Sequence, residues 1–185
     1  MSVPLVCHPS TPAAGVRAIN VRVSRSADGL LGLVFRLDAE LAGIRLPDPR
    51  PPRVAHELWQ HTCFEAFIAA DGAVAYHELN FAPSGEWAGY AFTAYREIDA
   101  LADEALAPGI VVGAAAGHFE LEASLALARL STSYADAALH LGLSAVIEQA
   151  DGTLSYWSLH HPSGRPDFHH HSARALRLER SAAEW

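Results

Sequence analysis

The 185-residue sequence contains no lysine, only two cysteines and a single methionine. Two cysteines cannot form a disulfide framework, and a chain of this length buries a sizeable core without one. All 13 basic residues are arginines, and 21 acidic residues outweigh them, which gives a formal net charge of −8. A phosphate backbone requires a positive protein surface, so this balance argues against nucleic-acid binding.

Targeting and membrane-spanning segments are also missing from the pattern. The segment from Met1 to Ser10 has neither the basic region nor the apolar stretch of a signal peptide. The longest weakly polar stretch, Gly109 to Gly117, is too short and too rich in glycine to cross a bilayer. We therefore expect a cytoplasmic protein with no membrane partner and with both cysteines reduced.

Alternation of apolar and polar residues dominates the chain. Apolar residues occupy every second position from Phe119 to Leu127, with Glu120 between the first two. This period is typical of a half-buried antiparallel strand. Similar patterns predict strands at His118–Leu127, Val16–Arg25, Leu30–Leu37, Thr62–Ala69, Ala73–Phe81, Trp87–Tyr95, Ala138–Ile147 and Leu154–His160.

Turn signals separate these segments and indicate the fold class. Asp28-Gly29 lies between two predicted strands and predicts a hairpin, and the proline-rich Leu46–Arg53 predicts an extended loop. Glu97–Ala107 has helical spacing, and Leu127–Ala137 has room for one helical turn. About nine strands with at most one short helix predict an all-β fold, an antiparallel β-sandwich of jelly-roll-like type, in a single domain spanning residues 1–185.

Polar and aromatic residues concentrate in stretches 56–65, 76–87, 95–96 and 156–171. Residues two apart on a strand share a face, so Glu78 and Asn80 are expected to point the same way, towards the face that also carries Glu65. Burying an unpaired charge is costly, so each carboxylate needs a partner. Arg96 is the expected partner of Glu65 or Glu78.

This grouping has several interpretations. It fits a structural polar network, or a ligand groove in which Trp59, Trp87 or Trp157 stacks on a sugar. The histidines between His160 and His171 are of a residue type that ligates metals, but they form no recognisable zinc motif. We therefore predict neither a metal nor another cofactor. Neither a Gly-x-Ser-x-Gly elbow nor a Walker A loop occurs, and no catalytic residue is predicted, although Glu65 and Glu78 are of the types that form a glycosidase pair.

Four strings of the sequence resemble a known family: LWQHTCFEAFI from Leu58, YHELNFAPSGEW from Tyr76, Tyr95-Arg96, and YWSLHHP from Tyr156 with the PDFH that follows. These strings resemble the bacterial DOMON-like proteins, which are related to family nine carbohydrate-binding modules. The resemblance covers nearly the whole chain. The resemblance implies a β-sandwich whose concave face binds sugars or, in other branches, haem. In the sugar-binding modules a tryptophan stacks on the sugar and an acidic residue six positions later hydrogen-bonds its hydroxyls. Trp59 and Glu65 match that spacing.

We therefore predict a non-catalytic module that binds a small carbohydrate-like ligand on the concave sheet face. The alternatives are a haem- or metal-binding protein of DOMON type and a protein-interaction sandwich with no small ligand. The loop His160–His169 is expected to close one rim of the groove. The predicted ligand-binding residues are Trp59, Glu65, Glu78, Asn80, Arg96, Trp157, His160, Asp167 and His169.

Overall fold

The structure, a computed structural model, describes residues 1–101 and 104–180, so parts of the predicted helix and of the predicted domain, residues 102–103 and 181–185, lie outside it. The strands are β1 (Ser2–Cys7), β2 (Val16–Arg25), β3 (Leu30–Ala39), β4 (Cys63–Ala70), β5 (Tyr76–Phe81), β6 (Trp87–Ala94), β7 (Glu97–Leu101), β8 (Gly109–Ala115), β9 (His118–Ala126), β10 (Leu139–Glu148), β11 (Leu154–Ser158) and β12 (Leu176–Leu178). Short 3-10 helices lie at Leu41–Gly43, Leu58–Gln60, Glu104–Leu106, Leu127–Arg129, Thr132–Ala135 and His171–Ala173. No helix in the described ranges has the length and apolar character needed to cross a lipid bilayer.

The described strands form two antiparallel layers that share β1. The first sheet has the order β1-β2-β3-β9-β8, and the second has the order β7-β6-β5-β4-β10-β11-β1 with β12 beside β10. Ser2 to Leu5 of β1 pair with β2, whereas Val6 and Cys7 pair with β11. The first strand therefore passes from one sheet into the other.

The two sheets pack face to face around one apolar core. The ring of Phe35 on the first sheet lies 5.3 Å, centroid to centroid, from the ring of Phe64 on the second. Phe64 also stacks on Phe119 of the first sheet at 5.9 Å. Fully burying one such side chain contributes about 1.5–3 kcal/mol. The predicted all-β antiparallel sandwich is thus confirmed, while the jelly-roll description stays a prediction.

Every strand predicted from the alternation is confirmed, with small differences at the ends. The strand Val16–Arg25 has the predicted bounds, whereas the one predicted from Ala73 begins at Tyr76. The pairing of β2 with β3 confirms the hairpin at Asp28-Gly29. Alternation located these strands well because each has one face in the core.

The helix predicted at Glu97–Ala107 is wrong. Its first half is the strand β7, which pairs with β6 through an irregular register, and a 3-10 helix follows at Glu104–Leu106. The register shifts disturb the two-residue period, which explains the misleading spacing. The strands β1, β8 and β12 were not predicted from the sequence. In β8 four of the seven residues are glycine or alanine, and only Ile110 and Val112 form its apolar face, which is too short to mark the strand.

Replacing Phe64 with alanine tests the shared core, because Phe64 is fully buried between the sheets. We expect the free energy of unfolding, measured in urea, to fall by about 3–5 kcal/mol. The control is Val111→Ala, which shortens an exposed side chain on β8 and is expected to cost less than about 0.5 kcal/mol. Similar losses in the two variants would contradict a core shared by the sheets.

Candidate functional site

The outer face of the second sheet, the face turned away from the core, is apolar as well. It carries a second buried cluster, formed with one residue from the segment after β11; the members are Phe67, Ala69, Tyr76, Phe92, Val146 and Phe168. Because Phe64, Ala66 and Ile68 of β4 face the main core, β4 is buried on both sides. The segment after β11, which includes Phe168 and His169, forms a cover over the outer side of β4.

A cavity of about 510 Å³ lies between this outer face and the segments that cover it. Its floor carries Glu65, Phe67, Glu78, Tyr90, Phe92 and Tyr156. Its walls include Trp59, Arg96, Phe168 and His169. Small-molecule sites have volumes of roughly 300–1,000 Å³ and mostly apolar linings with a few polar groups, so the cavity has the size and composition of a ligand site.

Two carboxylates lie on adjacent strands of the floor. Glu65 is opposite Asn80 in the β4–β5 register, and Glu78 is two residues before Asn80, so the glutamates are diagonal neighbours on one face. Only 2% of Glu65 and 6% of Glu78 is exposed. Ser144 Oγ donates to Glu65 Oε2 at 3.2 Å, and Asn80 Nδ2 donates to Glu78 Oε1 at 2.8 Å. The prediction that Glu78 and Asn80 point the same way is thereby confirmed.

Burial makes both carboxyl groups hold protons more tightly than an exposed glutamate does. Burial, reinforced by the nearby charge of Glu78, raises the pKa of Glu65 well above 4.5. Burial raises the pKa of Glu78 to about 7, although the hydrogen bond from Asn80 and the charge of Arg96 lower it. Two neighbouring carboxylates in a desolvated site favour retaining a proton, so the pair is not doubly charged at neutral pH.

His169 joins the cover of the cavity to its floor. The backbone N–H of Arg96 donates to Tyr76 Oη at 3.1 Å, and Tyr76 Oη lies 2.9 Å from Nδ1 of His169. We assign the tyrosine proton to this second bond, which leaves the imidazole proton on Nε2, 3.6 Å from Glu78 Oε2. Burial, together with the charge of Arg96, lowers the pKa of His169 to about 4. At neutral pH the ring therefore offers an uncharged N–H.

Arg96 does not pair with either glutamate, and the predicted ion pair is wrong. Its guanidinium donates to Asp167 Oδ1 at 3.0 Å and to the hydroxyl of Tyr95 at 3.2 Å. Tyr95 in turn donates to Asp167 Oδ2 at 2.8 Å. The physical reason is that β6 ends at Ala94, so Arg96 lies in a turn with a φ of +58° rather than in phase with Glu78.

Trp59 stands at the mouth of the cavity and is 50% exposed. It lies in the 3-10 helix Leu58–Gln60, which follows Glu57 in a left-handed backbone conformation with a φ of +59°. This turn comes between the proline-rich loop and β4, outside the regular sheet. Trp59 is therefore accessible to a ligand and does not belong to the core.

The other predicted binding residues occupy three different positions. Trp157 points from β11 into the core between the sheets, because its neighbour Tyr156 takes the outer face, and this corrects its predicted place in the groove. His160 is exposed beside a separate groove near His8, so the cover reaches the cavity only with its later residues. Asn80 is fully buried and reaches only Glu78 through its side-chain N–H, among the hydrogen bonds of the described residues.

Most of the aromatic floor was not predicted from the sequence. Tyr90 lies opposite Glu78 on β6, and Tyr156 lies opposite Val146 on β10. Two-residue spacing from Phe92 does place Tyr90 on the same face of β6. The register between β5 and β6, which the sequence does not specify, brings Tyr90 next to Glu78.

Histidines of the C-terminal segment are dispersed rather than gathered. His169 faces the cavity, His161 Nε2 contacts the carbonyl of Val6, and His170 caps a 3-10 helix through Ser172. In residues 1–101 and 104–180, no group of three or more His, Cys, Asp or Glu side chains is arranged to hold a metal ion.

Comparisons with known proteins bear on the fold. No protein-family model and no curated protein matches the chain. Among solved structures, the chain is similar to a Bacteroides uniformis protein described as a "putative carbohydrate-binding protein", with a TM-score of 0.69. The two share 14% sequence identity, and the likeness covers 93% of this chain and 83% of the other. At this identity the comparison establishes a shared fold.

Replacing Glu78 with glutamine tests the proton affinity of the floor, because glutamine keeps the oxygen that accepts from Asn80 and removes the titration. Because the pKa of Glu78 is raised in the folded state, its contribution to the free energy of unfolding is fully present below about pH 4.5. This contribution is lost as the pH rises through about 7. We expect the stability of the variant, relative to the native protein, to increase from pH 5 to pH 8 by up to about 3 kcal/mol.

Urea denaturation across this pH range measures the difference. The matched control is Glu122→Gln, which removes an exposed carboxylate of β9. The control should show a nearly constant difference from the native protein. A Glu78→Gln difference that is equally flat would show that Glu78 titrates as an ordinary carboxyl group.

Proposed function

We propose that this protein is a non-catalytic module that binds a small carbohydrate-like ligand in the cavity on the outer face of the second sheet. One observation carries the proposal: the half-exposed Trp59 stands at the mouth of a cavity whose floor holds the buried Glu65 and Glu78. An apolar platform and buried hydrogen-bond acceptors are the two kinds of contact that a sugar ring requires.

Trp59 supplies the platform. An indole face suits the C–H-rich face of a pyranose, because that contact buries apolar area while the hydroxyls keep polar partners. Half of the Trp59 surface is available to a ligand, and Glu65 follows it by six residues, the spacing seen in the sugar-binding modules that the sequence resembles.

The floor and walls supply the hydrogen bonds. Glu65 Oε1 and Glu78 Oε2 accept no hydrogen bond from the described residues, so each has capacity for a sugar hydroxyl. When either group is ionised, its hydrogen bonds are stronger than those of a neutral carboxyl group. His169 Nε2 and the guanidinium of Arg96 offer donors from the walls.

The proposed binding residues are therefore Trp59, Glu65, Glu78, Arg96 and His169. Asn80 and Asp167 hold Glu78 and Arg96 through hydrogen bonds, while Trp157 and His160 take no part. The description of the Bacteroides uniformis protein supports a sugar as the ligand class. The sequence resemblance supports a place among the bacterial DOMON-like proteins.

Trp59→Ala tests the platform. In titrations with mono- and disaccharides, followed by calorimetry, we expect the native protein to bind at least one sugar at millimolar concentration or below. Loss of one stacking platform should weaken that binding about tenfold or more without lowering the unfolding temperature. The control Val111→Ala removes exposed apolar surface from the opposite sheet and should leave binding unchanged.

Three results would contradict the proposal. One is the absence of binding by every sugar tested, and a second is unchanged affinity in Trp59→Ala. The third is release of sugar from aryl glycosides, which would make the module catalytic. An absorbance scan of the purified protein belongs to the same experiment, because a Soret band would favour the haem-binding alternative.

A further inference from the structure

The cavity lining has more glutamates than arginines. It includes three glutamates but a single guanidinium, that of Arg96, which is already paired with Asp167. Apart from the neutral His169, no Arg or His nitrogen of the described residues lies within 4.0 Å of the carboxylate oxygens of Glu65 or Glu78. The two buried carboxyl groups thus have no ion pair with an arginine of the described residues, in a cavity of ligand size.

We infer that the ligand carries an ammonium group, which makes it an amino sugar with a free amine. An ammonium group beside Glu65 and Glu78 supplies the missing positive charge and allows both to ionise. The oxygens without protein donors, Glu65 Oε1 and Glu78 Oε2, then accept charge-assisted hydrogen bonds. This inference rests on the proposed function and narrows its ligand from any small sugar to a cationic one.

Aromatic rings strengthen the case for an organic cation. Trp59, Phe67, Tyr90, Phe92 and Tyr156 line the same cavity. The negative face of an aromatic ring attracts an ammonium group, and the attraction grows when water is excluded. A metal ion fits less well, because Ca²⁺ takes about six to eight oxygen ligands and this floor combines two carboxylates with aromatic rings.

Titratable and charged groups face the pair from every element around it. They are Cys63 on β4, Tyr90 on β6, Tyr156 on β11, His56 and Glu57 before β4, Arg96 and Asp167 at the rim, and His169 with Tyr76 under the cover. Burial raises the pKa of Cys63 and of Tyr90 and lowers that of His169 to about 4. These three groups keep their charge state near neutral pH, whereas burial raises the pKa of Glu65 and of Glu78, so a bound ammonium group is expected to displace a proton from the glutamate pair.

The experiment compares neutral and cationic sugars of one configuration. Glucose, N-acetylglucosamine and glucosamine, with the corresponding galactose series, are titrated by calorimetry at pH 6.5, where the sugar amine is mostly protonated. We expect the free amine to bind at least about tenfold more tightly than its neutral counterparts in one series. Repeating the titration in buffers with different ionisation enthalpies should show net proton release for the amine and none for the neutral sugar.

Two variants locate the preference. Glu78→Gln should reduce the preference for the amine to below about threefold and decrease the proton release. Glu122→Gln, the matched control on β9, should keep both. The native protein alone already decides the question through proton release, so a variant that fails to fold does not obscure it.

The two proposals fail in different ways. Neutral sugars that bind as tightly as the amine, with Trp59→Ala weakening both, would overturn the ammonium inference and leave the sugar-binding proposal standing. An amine preference that survives in Glu78→Gln would also overturn it. Absence of binding by every sugar would overturn both proposals together.

Discussion

Strand β4 is buried on both faces, and the chain must therefore cover it twice. The first cover is the opposite sheet, which packs Phe35 and Phe119 against Phe64. The second cover is the segment after β11, which packs Phe168 against the outer face. Hydrophobic burial on this scale explains why the chain returns over its own sheet instead of leaving an exposed apolar surface. The candidate cavity exists because the second cover is incomplete.

Two carboxyl groups are buried in that otherwise apolar layer. Glu65 and Glu78 lose hydration there and gain only one hydrogen bond each from neighbouring side chains. Such groups destabilise a fold unless they are neutralised, and their raised pKa values are the way in which the unliganded protein limits this cost. The same two groups provide the strongest acceptors in the cavity, so the feature that weakens the fold supports a binding role.

The cover is tied to the floor by a continuous set of polar contacts. Arg96 connects the turn after β6 with Asp167 of the cover, and its backbone N–H meets Tyr76, which contacts His169. His169 then faces Glu78. A change in the charge of Glu78 therefore acts next to the residues that hold the cover in place.

The sequence by itself determined the sandwich, because an alternating pattern such as that of Val16–Arg25 specifies which face is buried whatever the partner. It also determined that Glu78 and Asn80 share a face, and it marked Trp59 as lying outside a strand. Only the tertiary structure decided which strands are neighbours, and hence that Tyr90 lies beside Glu78. It also decided the partner of Arg96 and the inward direction of Trp157, because contacts between residues more than 70 positions apart and the phase of a strand depend on how the whole chain packs.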